Sequence, residues 1–163
     1  MVTAKVKQYI IQKIKLMNVK QLKILLADDD IDDCHFFKEA LQALPATTQL
    51  NVVHDGEELM NYLTEHIDHL PNVLFLDINM PRKNGFECLS EIKHNEKLKD
   101  LPVVMFSTSG AQDKINILFK TGANVYIRKP SNFAQLVQVI HHALPMAAEN
   151  IFSNGKLKYV LNA

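Results

Sequence analysis

At 163 residues the chain is long enough for one domain with a full core and too short for two comfortable ones. Charged residues at 22% and hydrophobic residues at 47% are the balance of an ordinary soluble globular protein. Eighteen basic residues cancel eighteen acidic ones, so no global field draws the chain to nucleic acid or to an anionic membrane, and local clusters must carry any electrostatic work.

The two cysteines, Cys34 and Cys88, lack CxxC spacing and each falls inside an expected helix. That pattern argues against a zinc site and against a disulfide scaffold, and it favours a reducing cytoplasm. No apolar run reaches eighteen residues, and Tyr9-Ile10-Ile11 is too short a block for a signal peptide.

Residues 1–21 are expected to form a peripheral N-terminal extension, with Val6, Ile10, Ile14 and Met17 on one helical face. The apolar face is too narrow to favour a membrane-surface helix. Ile24 to Ala27 is a short apolar strand that ends in Asp28-Asp29-Asp30, with Asp32 and Asp33 following. Asp30 or Asp32 suits the N-cap of the next helix. One or two acids suffice for capping, and the surplus points to a cation site. That helix carries Phe37, Ala40, Leu41 and Leu44 and closes at Pro45.

Leu50 to Val53 gives a brief strand, and His54-Asp55-Gly56 turns into a helix with Leu59, Met60, Tyr62 and Leu63 inward. His54, His66 and His69 show no consistent ligand spacing and are expected to be solvated or capping. Val73 to Leu76 is a buried strand delivering Asp77 to its own end, before the chain turns through Asn79, Pro81, Asn84 and Gly85. A helix with Phe86, Leu89 and Ile92 follows. Val103 to Phe106 is the fourth strand, ending in Ser107-Thr108-Ser109-Gly110, and the next helix, with Ile115, Leu118 and Phe119, stops at Gly122. Val125 to Ile127 leads to Arg128-Lys129-Pro130. Ser131 or Asn132 caps a last helix through Phe133, Leu136, Val137, Ile140 and Leu144, which Pro145 is expected to terminate. Residues 145–163 are expected to form a tail that holds Tyr159, Val160 and Leu161 without a clear period, with room for a short added helix or strand.

Five strands alternating with five helices predict an α/β fold: one parallel sheet over residues 22–144, covered on both faces. In such a sheet the strand ends lie along one edge, so Asp28 and Asp29, Asp77, Ser107 with Thr108, and Lys129 converge. Crowded carboxylates stay ionised cheaply only beside a cation, and a hard, oxygen-seeking ion, Mg²⁺ or Mn²⁺, fits. A lysine and a hydroxyl supply donors to a group with several anionic oxygens. Phosphoryl transfer uses that set, and a carboxylate is a competent nucleophile for it.

ILLADDD at Ile24, LFLDINMPRKNG at Leu74, VVMFSTS at Val103 and YIRKP at Tyr126 together resemble the receiver domain of two-component response regulators, from about Leu22 to Leu144. The resemblance implies a doubly wound, flavodoxin-like sheet of order 2-1-3-4-5. It implies that Asp77 accepts a phosphoryl group from a histidine kinase or a histidine phosphotransfer protein. Asp28 and Asp29, with Asp77 and the backbone carbonyl of Asn79, would hold Mg²⁺. Ser107 falls at the hydroxyl switch position, Lys129 at the phosphoryl-binding lysine and Tyr126 at the aromatic switch, which swings inward on phosphorylation. The Lys129–Pro130 bond is implied to be cis.

Ser107 stands where threonine is usual, and Thr108 lies at a variable position beside it. Neither a DNA-binding nor an enzymatic module is expected after Leu144. The output is therefore expected to be a surface offered to a downstream protein effector, or onward phosphoryl transfer, from a monomer or a phosphorylation-dependent dimer. Apart from Mg²⁺-dependent self-phosphorylation and autodephosphorylation, no enzyme activity is expected, and neither direct DNA binding nor membrane association. Two rivals fit less well. A haloacid-dehalogenase-like phosphohydrolase would use Asp28, Asp30, Ser107 and Lys129, but it wants Gly-Thr after Asp30 and leaves Asp77 idle. A flavodoxin-like cofactor site needs a phosphate-cradling loop where this chain places five acids.

Overall fold

The computed structural model describes residues 4–5, 8, 11–12, 21–43, 47–152 and 159–161. Of the expected N-terminal helix, the described positions 4–5, 8 and 11–12 are helical, and the rest of that extension lies outside the described residues, as does Pro45.

Strand and helix alternate as the apolar runs require. The order is β1 (Leu22–Ala27), α1 (Ile31–Gln42), β2 (Thr48–Val53), α2 (Gly56–Glu65), β3 (Val73–Leu76), α3 (Gly85–His94), β4 (Val103–Ser107), α4 (Gln112–Thr121), β5 (Val125–Arg128), α5 (Phe133–Phe152) and β6 (Tyr159–Leu161). All pairings are parallel, and the sheet order is β2-β1-β3-β4-β5-β6. The first five strands thus take the expected 2-1-3-4-5 arrangement. Reversal of the winding direction at β1 and β3 opens a crevice at their carboxyl ends.

Successive strand residues point to opposite faces, and both faces are buried. Ile24, Leu26, Phe75, Phe106 and Ile127 pack under α1 and α5, whereas Leu25, Leu74, Leu76, Met105 and Tyr126 pack under α2, α3 and α4. Phe37 of α1 anchors the first layer, edge-on to Phe75 at 4.8 Å between centroids and to Phe106 at 5.9 Å. Helix ends follow local chemistry. Asn84 and Glu87 form a reciprocal capping box at α3, and Gly122, at φ 123°, ends α4 in a conformation that side chains resist. Of the two candidate caps for α5, Asn132 is the one used, accepting the Gln135 N–H at 2.9 Å.

Two expectations change, and the alternative left open for the tail is resolved as a strand. Pro145 does not terminate α5, which runs on to Phe152. A proline interior to a helix forfeits one hydrogen bond, and the good helix formers Met146, Ala147 and Ala148 carry the helix past it. The tail contributes a sixth strand beside β5, in register Val125↔Tyr159; three residues are too few to show a period. No described peptide bond is cis, so Lys129–Pro130 is trans. The two isomers of an X–Pro bond differ by only about 1 kcal/mol, too little for the motif to decide between them. Among the described residues no helix is long and apolar enough to cross a membrane.

Candidate functional site

The ladder carries each key residue to its place. Beyond the strand ends, the Asp28 N–H donates to the Val53 carbonyl (3.0 Å), that of Asp77 to Ala27 (2.9 Å) and that of Lys129 to Ser107 (2.8 Å). The candidate residues are therefore the last rungs of the sheet itself. Asp77 is fixed further by its own loop: the Ile78 N–H donates to its Oδ1 at 2.8 Å, and the Gly85 N–H closes the turn onto the Ile78 carbonyl at 2.8 Å. A Cβ at Gly85 would lie 2.2 Å from the Asp77 carbonyl oxygen, so only glycine lets α3 start this close to the acid.

The surplus acids after β1 separate into roles. Asp30 is the N-cap, its Oδ1 accepting the N–H groups of Asp32 (2.9 Å) and Asp33 (3.1 Å). Its Oδ1 is thereby committed to the cap, while the Asp30 N–H donates to Asp28 Oδ1 at 3.0 Å. Asp28, Asp29 and Asp77 each bring one carboxylate oxygen within 4.8 Å of the others. Asp28 is fully buried and Asp77 nearly so, while Asp29 is exposed, so the cluster opens to solvent on one side. These donors are all hard oxygens, without nitrogen or sulfur, which suits Mg²⁺ or Mn²⁺. Asn79 is exposed two residues along the Asp77 loop.

Lys129 reaches into the cluster from β5. Its Nζ lies 2.7 Å from Asp28 Oδ2, 2.9 Å from Asp33 Oδ2 and 3.5 Å from Asp77 Oδ2, with the Phe106 ring 5.2 Å away. Burial pushes the Asp77 carboxyl up to about 6, Lys129 opposes that rise and the Asp28 charge adds to it. Burial also raises Asp28, against its bond to Lys129. Burial disfavours the Lys129 ammonium, but the bonds and charges of Asp28, Asp33 and Asp77 together outweigh it and hold the lysine above its ordinary value. The site therefore holds more carboxylates than one lysine neutralises, which is the electrostatic setting a divalent cation relieves.

Ser107 is fully buried at the end of β4, its Oγ accepting the Ser109 N–H at 3.4 Å. Tyr126 is fully buried, and its hydroxyl donates to the Ser109 carbonyl. The inward position expected only after phosphorylation is thus the one seen. Burial raises the Tyr126 phenol, and the Ser107 hydroxyl works in the opposite sense, so the two share one environment.

Two residues of the site escape the sequence reading. Asp33, in the first turn of α1, becomes a direct partner of Lys129. His54, expected to be solvated or capping, places Nδ1 3.0 Å from the Asp28 carbonyl. Its position at a strand end was the available signal. Beside Lys129 lies a cavity of about 200 Å³ lined by Asp33, Phe36, Phe106, Phe133 and Leu136, an apolar shoulder to a charged site.

A family model for the response regulator receiver domain matches residues 24–141. The response regulator Rcp1 of Synechocystis sp. is 32% identical over 121 residues, 72% of this chain and 82% of Rcp1. The crystal structure of the Mn²⁺-bound form of Rcp1 superposes with a TM-score of 0.67 at 32% identity, over 74% of this chain and 89% of that one. The phosphorylated cyanobacterial phytochrome response regulator RcpA gives a TM-score of 0.71 at 35% identity, over 82% of this chain and 96% of that one.

Proposed function

The chain belongs to the response regulator receiver domain family of two-component signalling, and from that premise we propose that Asp77 is its phosphoacceptor. The observation that carries this reading is the meeting of Asp77 with Asp28, Asp29 and Lys129 at one crevice, from segments far apart in sequence. Asp77 attacks the phosphorus of a phosphohistidine on a histidine kinase or phosphotransfer protein. The P–N bond breaks, the imidazole leaves, and an acyl phosphate remains on the carboxylate.

Asp28, Asp29, Asp77 and the Asn79 backbone carbonyl would hold the cation, which neutralises charge on the transferring oxygens. The Mn²⁺-bound form of the similar Rcp1 supports that assignment, as the phosphorylated form of RcpA supports the chemistry. Lys129, already charged and held at the site, turns from Asp28 and Asp33 to a phosphoryl oxygen. Ser107 donates its hydroxyl to another. An ionised nucleophile is needed, and a carboxyl with a pKa of about 6 is mostly ionised at pH 7.

Output follows from the Ser107 hydroxyl. Drawn toward a phosphoryl oxygen, it gives up the Ser109 N–H and shifts the loop that Tyr126 grips through the Ser109 carbonyl. Because Tyr126 is already inward, the relay works by changing this grip, and the surface of α4, β5 and α5 changes for a partner protein in the cytoplasm. The chain forms its own acyl phosphate from the donor and hydrolyses it.

The test is incubation with Mg²⁺ and a small phosphodonor, followed by intact mass. One hydroxylamine-labile phosphoryl adduct is expected, absent from Asp77→Asn. A wild-type protein that stays unmodified, or an adduct that survives the substitution, refutes the assignment.

A further inference from the structure

The carbonyl of Asp28 belongs to the peptide that joins two acids of the cluster, and its hydrogen bonds come from side chains. The Cys34 thiol donates to it from α1 at 3.4 Å, and the His54 ring meets it from the β2–α2 loop at 3.0 Å. A carbonyl oxygen only accepts, so His54 Nδ1 carries the proton in this contact. The peptide is planar, so fixing its oxygen fixes the plane in which the Asp29 N and Cα lie, and with it the point from which the Asp29 side chain departs. Asp28 is held elsewhere as well, by its N–H on Val53 and by Lys129 on its carboxylate. Asp29 is exposed, and its backbone is held on one side by this peptide and on the other by the Asp30 N–H, which donates to Asp28 Oδ1 at 3.0 Å.

His54 is itself rigid. Its N–H donates to Glu58 Oε2 at 2.7 Å, while Asp55 Oδ1 caps the Glu58 N–H at 2.8 Å, so the ring is mounted on the first turn of α2. Asp55 also pairs with Arg82 at 3.5 Å, on the loop that follows Asp77. Arg82 has φ 66°, a left-handed backbone that non-glycine residues seldom adopt. One short loop, carrying none of the acids, hydroxyl or lysine of the site, thus touches both segments that carry the carboxylates.

We propose that His54 is a positioning residue for the divalent cation, acting through the Asp28–Asp29 peptide. The inference rests on Asp28, Asp29 and Asp77 being the cation's ligands. Loss of a partner that orients a ligand weakens metal affinity by about tenfold.

The experiment measures Mn²⁺ binding to the full chain from the electron paramagnetic resonance of free Mn²⁺, with no phosphodonor present. His54→Leu removes the donor at an exposed position and is expected to fold normally by circular dichroism. His54→Asn returns an N–H donor to about the place of Nδ1. Expected are about tenfold weaker binding for His54→Leu and recovery to within about twofold of wild type for His54→Asn. Unchanged affinity in His54→Leu, or equal losses in both variants, overturns the positioning role while the cation site stands. Wild type that binds no Mn²⁺, or binding unaffected by Asp29→Asn, overturns the cation site and this inference with it.

Discussion

Replacing Asp77 by Asn keeps the side chain's shape and its Oδ1 acceptor for the Ile78 N–H, and removes the charge. The folded protein lifts this carboxyl from an ordinary 3.8 to about 6, chiefly by burial. At about 1.4 kcal/mol per pKa unit, holding Asp77 ionised in the fold costs ~3 kcal/mol at pH 7. Because the folded state binds the proton more tightly than the unfolded chain, the cost is absent below about pH 4, grows between pH 4 and 6, and is constant above. In urea unfolding with EDTA present, Asp77→Asn is therefore expected to be more stable than wild type by ~3 kcal/mol at pH 7 and by almost nothing at pH 4. Added Mg²⁺ should shrink the difference at pH 7, since the cation binds and stabilises the folded wild type. An Asn variant that is less stable at pH 7, or a gain equally large at pH 4, would refute the claim that this acid is held at a folding cost for the sake of its chemistry.

Lys129→Met strands Asp28, Asp33 and Asp77 without their cation and should cost about 3–5 kcal/mol at pH 7. The loss should be smaller at pH 5, where raised carboxyl pKa values let protons replace the lysine, as paired urea titrations would show. Gly85→Ala forces a methyl group against the Asp77 carbonyl oxygen and should cost about 3 kcal/mol or more in the same assay. Tyr126→Phe removes the hydroxyl donor to Ser109 and should cost about 1 kcal/mol. Hydrogen exchange should quicken at residues 109–111 while the β5 amides stay protected. Phe37→Ala, which empties the space facing Phe75 and Phe106, should cost about 3–5 kcal/mol.

The sheet was legible because each central strand is an uninterrupted apolar run whose first polar residue marks the crevice. Ala27 hands over to Asp28, Leu76 to Asp77 and Phe106 to Ser107, so the chemistry turns polar while the chain is still buried. Only the convergence of these ends made the acids meaningful, and parallel strands supply that without further information. The contacts that stayed hidden are those made by side chains on elements read for another purpose. Asp33 sits in a first turn where acids are ordinary, and nothing in its spacing distinguishes a bond to a lysine 96 residues away. His54 fits no ligand spacing, and its partner is a backbone carbonyl 26 residues earlier, which no side-chain pattern encodes. The sixth strand and the passage of α5 through Pro145 depend on neighbours that outweigh local preference.

The missing methyl at Gly85 has a mechanical consequence. With helix α3 seated hard on the Asp77 carbonyl, the peptide that carries this carboxylate has a wall of backbone behind it. If Asp77 takes up a phosphoryl group, as proposed, the added bulk has that wall at its back and the solvent-open crevice in front of it.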